Sequence, residues 1–125
     1  MQKTISVIIP AYNEEKNIPL IGAEILDVFS SLPYEYEIIF VNDGSEDASQ
    51  KAIEGLVESN NKIKSIEFSR NFGKEAATSA GLHNCCGDAA ILIDAKKEPK
   101  ENGSNARTKV RVLFQHESKP RSKPN

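Results

Sequence analysis

The sequence has no apolar run approaching the ~18–20 residues that a membrane-spanning helix needs, so we expect no transmembrane segment in this chain. Its N-terminus also lacks the pattern of a signal peptide. The apolar stretch there is short and runs into Asn13, Glu14 and Glu15 instead of a small-residue cleavage site. These two absences predict a cytoplasmic protein, with peripheral attachment to a membrane left open.

Cysteine is scarce, and the common glycine-rich phosphate motifs are missing. The two cysteines, Cys85 and Cys86, are adjacent and have no second pair at metal-ligand spacing, so we expect two free thiols. No GxxxxGK[ST] motif occurs, which excludes a P-loop. No GxGxxG follows the first predicted strand, which leaves a dinucleotide-binding fold without support.

Charge is distributed unevenly along the 125 residues, although the net charge is only −2. Residues 96–125 hold nine Lys or Arg and three Glu, whereas residues 1–95 hold seven Lys or Arg and fifteen acids. So abrupt a shift predicts a domain over residues 1–95 and a basic, disordered tail over residues 96–125. Alternating Val110, Val112 and Phe114 leave a short strand as the weaker alternative. In the tail, aromatic residues do not alternate with the basic residues, and no nucleic-acid-binding motif is recognisable. We therefore expect no nucleic-acid partner.

Hydrophobic patterning predicts alternating strands and helices. Short apolar runs rich in β-branched residues indicate buried strands, and apolar spacing of three to four residues indicates helices between them. This alternation predicts a doubly wound, mostly parallel α/β sheet with strand order 3-2-1-4 and helices on both faces. The predicted strands are 5–9, 37–42, 63–68 and 89–93. The first predicted helix has Asn17 as its cap, the second begins at Glu46 and Asp47, and the third spans 75–83.

Polar residues follow three of these strands, at 10–15, at 43–45 and at Asp94. In an open parallel sheet, ligands bind beyond the carboxyl ends of the strands. The pattern therefore predicts a polar site that carries carboxylates. A carboxylate approaches a diphosphate only through a divalent cation, because like charges repel. On spacing alone, an equal alternative is that Asp43 belongs to a turn, since Asn-Asp-Gly-Ser is strong turn chemistry.

Four segments carry a resemblance to a known family. In order and spacing, VIIPAYNEE (7–15), FVNDGSEDAS (40–49), SRNFGKEAATSAGL (69–82) and ILIDA (91–95) resemble GT-A-type family 2 glycosyltransferases. The third is similar to the polyprenyl-phosphate branch, the bactoprenol glucosyltransferases and dolichyl-phosphate mannosyltransferases. The resemblance implies a truncated GT-A nucleotide-diphospho-sugar transferase fold. It also implies transfer of a sugar, with inversion, from a UDP- or GDP-hexose to a polyprenyl phosphate.

The resemblance also implies which residues hold the ligands. It implies Mg²⁺ or Mn²⁺ as cofactor, with Asp94 as the metal ligand. Arg70 and Lys74 follow the third strand, where they either reach phosphates or remain solvated loop charges. The residues implied for the nucleotide sugar are Pro10, Ala11, Tyr12, Glu14, Val41, Asp43, Asp94 and Ala95.

The sequence departs from the family pattern directly after Ala95. Lys96 stands where the family has its second aspartate, and a charged lysine cannot ligate Mg²⁺. We therefore expect residues 1–95 to be the nucleotide-sugar-binding half of a GT-A domain, in a chain incomplete for the transfer reaction. The alternatives are a catalytically inactive nucleotide-binding fragment and an interaction module with a basic tail.

Overall fold

The computed structural model describes residues 3–95 throughout, together with the strand segments 98–99, 106–107 and 110–115. Strands and helices alternate along the chain as the sequence predicts. The elements are β1 (Thr4–Ala11), α1 (Asn17–Phe29), β2 (Glu35–Asn42), α2 (Ser49–Ser59), β3 (Ile63–Glu67), α3 (Lys74–Asn84), β4 (Ala89–Ile93), β5 (Glu98–Pro99), β6 (Ala106–Arg107) and β7 (Val110–Gln115).

The main sheet has five strands in the order β3-β2-β1-β4-β7. The β1–β2, β1–β4 and β2–β3 pairs are parallel, which confirms the predicted order 3-2-1-4. β7 adds an antiparallel strand to the edge of β4, with Val112 opposite Ile91. For residues 110–115 the expectation of disorder is therefore wrong. These residues instead form the short strand that their alternating apolar pattern gave as the weaker alternative. The strand pairs with the open edge of β4. β5 and β6 form a separate antiparallel pair.

The central strands β1 and β2 are buried because helices cover both faces of the sheet. Alternate residues of β1 show this: Val7 and Ile9 pack in a cluster with helices α1 and α2, whereas Ile8 packs on the opposite face. On that second face Ile39 and Val41 pack with Ala77 of α3. The predicted doubly wound architecture is thus confirmed.

Helix α3 approaches the sheet closely because it is rich in small residues. A Cβ atom placed on Gly81 would lie 2.5 Å from Cγ2 of Ile8, which is closer than real side-chain contacts allow. Ala77, one turn earlier on α3, is fully buried. The small residues therefore set the distance between α3 and the carboxyl ends of the strands.

Three details of the helices differ from the sequence prediction. Lys16 precedes α1 as its N-cap, and Asn17 instead donates from Nδ2 to Glu14 Oε1 at 2.8 Å. The spacing of Val28 from Ile21 and Ile25 predicts that it faces the core, but Val28 is 53% exposed. Helix α2 begins at Ser49. Glu46 and Asp47 therefore precede α2, where Ser49 N–H donates to Asp47 Oδ1 at 2.9 Å. None of the described helices combines the length and apolarity needed to cross a bilayer.

A buried polar cluster ties the amino ends of the strands to the turn before β4. Ser6 Oγ and the backbone N–H of Cys86 both donate to Glu37 Oε2, and Lys64 Nζ lies 2.9 Å from Glu37 Oε1. Gly87 N–H donates to Ser6 Oγ at 2.8 Å. Cys85 and Cys86 are free thiols, as predicted. Burial raises the pKa of the Cys85 thiol.

Candidate functional site

A cavity of about 270 Å³ opens at the carboxyl ends of β1, β2 and β4. Seven of the eight residues predicted for the nucleotide sugar line it. Val41 does not, because it is fully buried within β2. The cavity also includes Lys74, which sequence reasoning left open between a ligand contact and a solvated charge. The lining residues are Pro10, Ala11, Tyr12, Glu14, Asp43, Lys74, Asp94 and Ala95.

The loop after β1 is held in place by the loop after β2. Asn13, which has a φ of 55°, accepts a hydrogen bond at Oδ1 from Glu46 N–H at 2.8 Å. Its own N–H donates to Ser45 Oγ at 2.9 Å. Glu14 N–H donates to Ser49 Oγ, also at 2.9 Å. These reciprocal bonds fix the backbone of the segment that presents Tyr12 and Glu14 to the cavity.

Tyr12 is an exposed aromatic side chain at the cavity, with 42% of its surface accessible. A ring of this kind offers a flat face on which a nucleobase can stack. The family resemblance implies that Tyr12 lies beside the base, and this residue lines the cavity.

Asp43 also lines the cavity, although it is only 3% exposed. Its Oδ1 accepts a hydrogen bond from Phe72 N–H at 2.7 Å, and its Oδ2 accepts one from Gly73 N–H at 3.0 Å. Asn71 Nδ2 donates to the same Oδ2 at 3.2 Å. The carboxylate thus holds residues 71–73 of the loop between β3 and α3. This differs from the turn alternative, in which Asp43 would serve only its own local backbone.

Gly44 allows this loop to lie directly on the end of β2. Its φ is +68°, and any Cβ there would overlap the backbone of Arg70 and Asn71. Above it, the Arg70 guanidinium lies 4.7 Å from the centre of the Phe72 ring. Arg70 is therefore engaged with Phe72 and is not among the residues that line the cavity.

Lys74, the first residue of α3, supplies a cation to the cavity. Its Nζ lies 2.9 Å from Asp94 Oδ2, and the two side chains are 52% and 27% exposed. A pair this accessible contributes little to folding stability, because water competes with it. Its effect is on the cavity, where it places one positive charge beside the carboxylate at the end of β4.

The described residues do not make a metal site by themselves. Within the part of the chain that the structure describes, no three His, Cys, Asp or Glu side chains converge on a point that could hold a metal ion. Of the carboxylates at the cavity, Asp43 is bound to the loop and Asp94 pairs with Lys74. Mg²⁺ is commonly held by one or two carboxylates and the phosphates of its substrate. Asp94 fits a site of that shared kind.

Comparison with known proteins agrees with this geometry. The fold is that of a GT-A glycosyltransferase: it superimposes with a TM-score of 0.63 on a mannosyltransferase from Pyrobaculum calidifontis solved with GDP-Man and Mn²⁺, at 24% identity over 78% of this chain and 28% of that one. Residues 6–102 match the model of "Glycosyl transferase family 2". The chain belongs to glycosyl transferase family 2.

Two curated relatives show how the chain relates to whole members of the family. The putative glycosyltransferase CsbB of Bacillus subtilis is 47% identical over 94 residues, which are 75% of this chain and 29% of CsbB. The bactoprenol glucosyl transferase of Shigella phage SfX is 44% identical over 90 residues, or 72% of this chain and 29% of that protein. The chain thus spans less than a third of the length of these relatives.

Proposed function

We propose that this chain forms the donor-binding part of a glycosyltransferase that moves a hexose from UDP or GDP to a polyprenyl phosphate. The observation that carries the proposal is the cavity at the carboxyl ends of β1, β2 and β4, lined by an aromatic ring, carboxylates and one lysine. A nucleotide sugar needs a surface of this composition: a stacking face for its base, acceptors for its hydroxyls and a cation for its diphosphate.

Each part of the donor has a counterpart in this cavity. Tyr12 stacks on the base, while Glu14 accepts hydrogen bonds from base N–H or ribose hydroxyl groups. Pro10, Ala11 and Ala95 form the apolar remainder of the wall, and Asp43 belongs to the same wall. Val41, which is fully buried, supports the wall from within β2.

Lys74 gives this site a charge that the diphosphate requires. Its exposed ammonium group can turn from Asp94 to a phosphate oxygen without a large loss of stability. The Asp94 carboxylate would help to hold a divalent cation beside the diphosphate. Such a cation supplies charge to the departing nucleoside diphosphate and makes it a better leaving group.

The acceptor rests on the relatives and on the sequence resemblance. One relative is named as a bactoprenol glucosyl transferase, and the segment 69–82 resembles the polyprenyl-phosphate branch of the family.

A second candidate function is a nucleotide-binding protein that does not transfer sugar. Lys96 favours it, because a lysine stands where the family has its second aspartate. In that case the cavity binds a nucleotide sugar, and metal neither strengthens binding nor leads to turnover.

Calorimetric titration of the purified 125-residue chain separates these cases. UDP-glucose, GDP-mannose and the free nucleotides would be added in EDTA and then in Mg²⁺ or Mn²⁺. We expect one nucleotide series to bind and Tyr12→Ala to weaken it. Lipid-linked sugar is then assayed with a polyprenyl phosphate. No binding of any nucleotide in any buffer would refute both functions.

A further inference from the structure

We propose that Asn17 is a positioning residue for Glu14: its side-chain amide holds one oxygen of the Glu14 carboxylate at the wall of the cavity and leaves the second oxygen for the ligand. The proposal deepens the proposed function, in which Glu14 accepts hydrogen bonds from base N–H or ribose hydroxyl groups, and it rests on that function for the identity of the ligand. The sequence suggested only a helix cap at Asn17.

The Asn17 side chain is bonded to Glu14 and does not cap the helix. Its Nδ2 donates to Glu14 Oε1 at 2.8 Å, a distance typical of a bond to a charged acceptor. The Glu14 carbonyl oxygen already accepts the backbone N–H groups of Asn17, at 3.0 Å, and of Ile18, at 3.1 Å. These are two of the four N–H groups that the start of a helix leaves without an intrahelical partner. The first turn of α1 therefore does not need the Asn17 side chain as a cap.

The backbone of Glu14 is fixed on both sides. Its carbonyl group is held by the first turn of α1, and its N–H donates to Ser49 Oγ at 2.9 Å. Ser49 is fully buried at the start of α2, and its Oγ donates to Asp47 Oδ1 at 2.6 Å. With the backbone anchored to two helices, the place of the carboxylate depends on the rotatable bonds of its own side chain. The bond from Asn17 restricts these.

Asn17 lies behind the cavity wall. Glu14 lines the cavity, and Asn17 is not among the lining residues. Both residues line a second hollow at the start of α1. A ligand in the cavity would therefore meet Glu14, and Asn17 would act on that ligand through Glu14. A carboxylate that is already held in place has less freedom to lose when the ligand binds.

The first test compares Asn17→Ala with Asn17→Asp. Both remove the amide donor, and each should weaken binding of UDP-glucose or GDP-mannose about two- to tenfold, because the Glu14 side chain then becomes ordered only on binding. The urea midpoint of Asn17→Ala should stay close to that of the wild type, since alanine suits a helix and the position is only half-buried. A loss of affinity that merely follows a loss of stability would overturn the proposal.

Asn17→Asp keeps the shape of the side chain and takes away the donor. It should bind no better than Asn17→Ala, and wild-type affinity in this variant would overturn the proposal. Uridine and guanosine, which carry no charge, are titrated as well. Their affinity should fall in the same way, which separates loss of the bond to Glu14 from repulsion of phosphates by the new carboxylate.

A double-mutant cycle tests whether Asn17 acts through Glu14. Glu14→Ala should weaken binding at least as much as Asn17→Ala, and the double variant should bind within about twofold of Glu14→Ala alone. Losses that multiply would overturn the proposal. Asn84→Ala is the matched control: Asn84 Nδ2 also donates at 2.8 Å, to the carbonyl oxygen of Ala80, but at the end of α3 remote from Lys74. Nucleotide affinity should not change in that variant.

The last measurement needs no nucleotide, so it separates failure of this proposal from failure of the proposed function. Exchange of the side-chain amide hydrogens with water is followed by proton–nitrogen NMR in the unliganded chain. Glu14→Ala should raise the exchange rate at Asn17 Nδ2 severalfold and leave that of Asn84 unchanged. An unchanged rate at Asn17 would overturn the proposal, whatever the titrations show. A wild-type chain that binds no nucleotide would instead refute the proposed function, and the positioning role with it.

Discussion

The Lys74 ammonium nitrogen lies 2.9 Å from Asp94 Oδ2, and both residues line the cavity at the carboxyl ends of the strands. The pair joins the start of α3 to the end of β4. It keeps a cation and a carboxylate together at the position that the proposed function gives to the donor diphosphate.

Replacing Lys74 by methionine should weaken nucleotide-sugar binding about ten- to hundredfold, because a charge-assisted hydrogen bond contributes about 1.5–3 kcal/mol. Free nucleoside, which has no phosphate, should lose nothing. Calorimetry on both ligands measures the difference. Lys62→Met is the control, since Lys62 also forms an ion pair, 3.0 Å from Glu35, at the amino end of the sheet. Equal losses for nucleoside and sugar nucleotide would contradict a phosphate contact.

Replacing Lys96 by aspartate should increase the effect of Mn²⁺ on donor affinity. The substitution removes a repelling charge and adds an oxygen ligand two residues after Asp94. The measurement is the ratio of affinities in Mn²⁺ and in EDTA, for both proteins. Asp94→Asn in the Lys96→Asp background should abolish the gain. A ratio that stays the same in Lys96→Asp would count against a metal at Asp94.

The wild-type sequence should show no turnover in an assay for lipid-linked sugar. Lys96 replaces a carboxylate that the family uses for its metal, and the cation that offsets the leaving-group charge is then poorly held. UDP-glucose or GDP-mannose, Mg²⁺ and a polyprenyl phosphate are incubated with the chain. A rate near 1 s⁻¹, at the low end of the roughly 1–10³ s⁻¹ typical of enzymes, would show that Lys96 does not impair the reaction.

Glu37 should make folding stability sensitive to acid. Burial alone raises its pKa, but hydrogen bonds from Ser6, Cys86 and Lys64 outweigh burial and hold the pKa below its ordinary value of 4.5. A carboxyl whose folded pKa is depressed stabilises the fold above its unfolded pKa, and this contribution is lost as the pH falls through the folded pKa. Urea unfolding of Glu37→Gln should therefore depend less on pH below about 4.5 than wild type does.

Glu58→Gln, at an exposed position of α2, is the control for this experiment. It should keep the pH dependence of the wild type. Identical curves for wild type and Glu37→Gln would show that the polar cluster at the amino ends of the strands contributes nothing to the acid response.

Gly81→Ala should destabilise the fold by about 1–3 kcal/mol, the usual cost of overpacking a well-packed core. The added methyl would lie 2.5 Å from Cγ2 of Ile8, which is itself fully buried. Gly55→Ala is the matched control, because a Cβ there meets nothing within 4 Å. In the interior of a helix that change should stabilise the fold by roughly 0.5–1 kcal/mol. Urea midpoints of both variants measure the contrast.

The sequence was sufficient for most of the architecture because its signals are local. The apolar run of β1 and the turn residues around Asp43 mark strand ends, and these ends place most of the cavity. Where local signals misled, tertiary contacts explain the difference. Asn17 has the right chemistry for a cap, yet its side chain bonds to Glu14. Val28 has the right spacing for the core, but the end of α1 leaves it at the surface.

The sequence predicts least well the residues whose side-chain contacts join segments that are distant in the chain. No spacing rule connects Asp43 with Phe72 and Gly73, because the bond depends on how the loop after β3 lies on Gly44. The sequence also left the role of Lys74 open, because its partner Asp94 follows β4, 20 residues further along the chain. Such contacts depend on the packing of α3 against the sheet, which composition and periodicity do not specify.

The position of β1 between β2 and β4 has a consequence for synthesis on the ribosome. Thr4 pairs with Glu35, but its neighbour Ile5 also pairs with Ala89, which is translated much later. During that interval the central strand of the sheet has one edge without a partner, and strand edges of this kind recruit other chains. The nascent polypeptide therefore has a window of aggregation risk, which closes when β4 emerges and inserts beside β1.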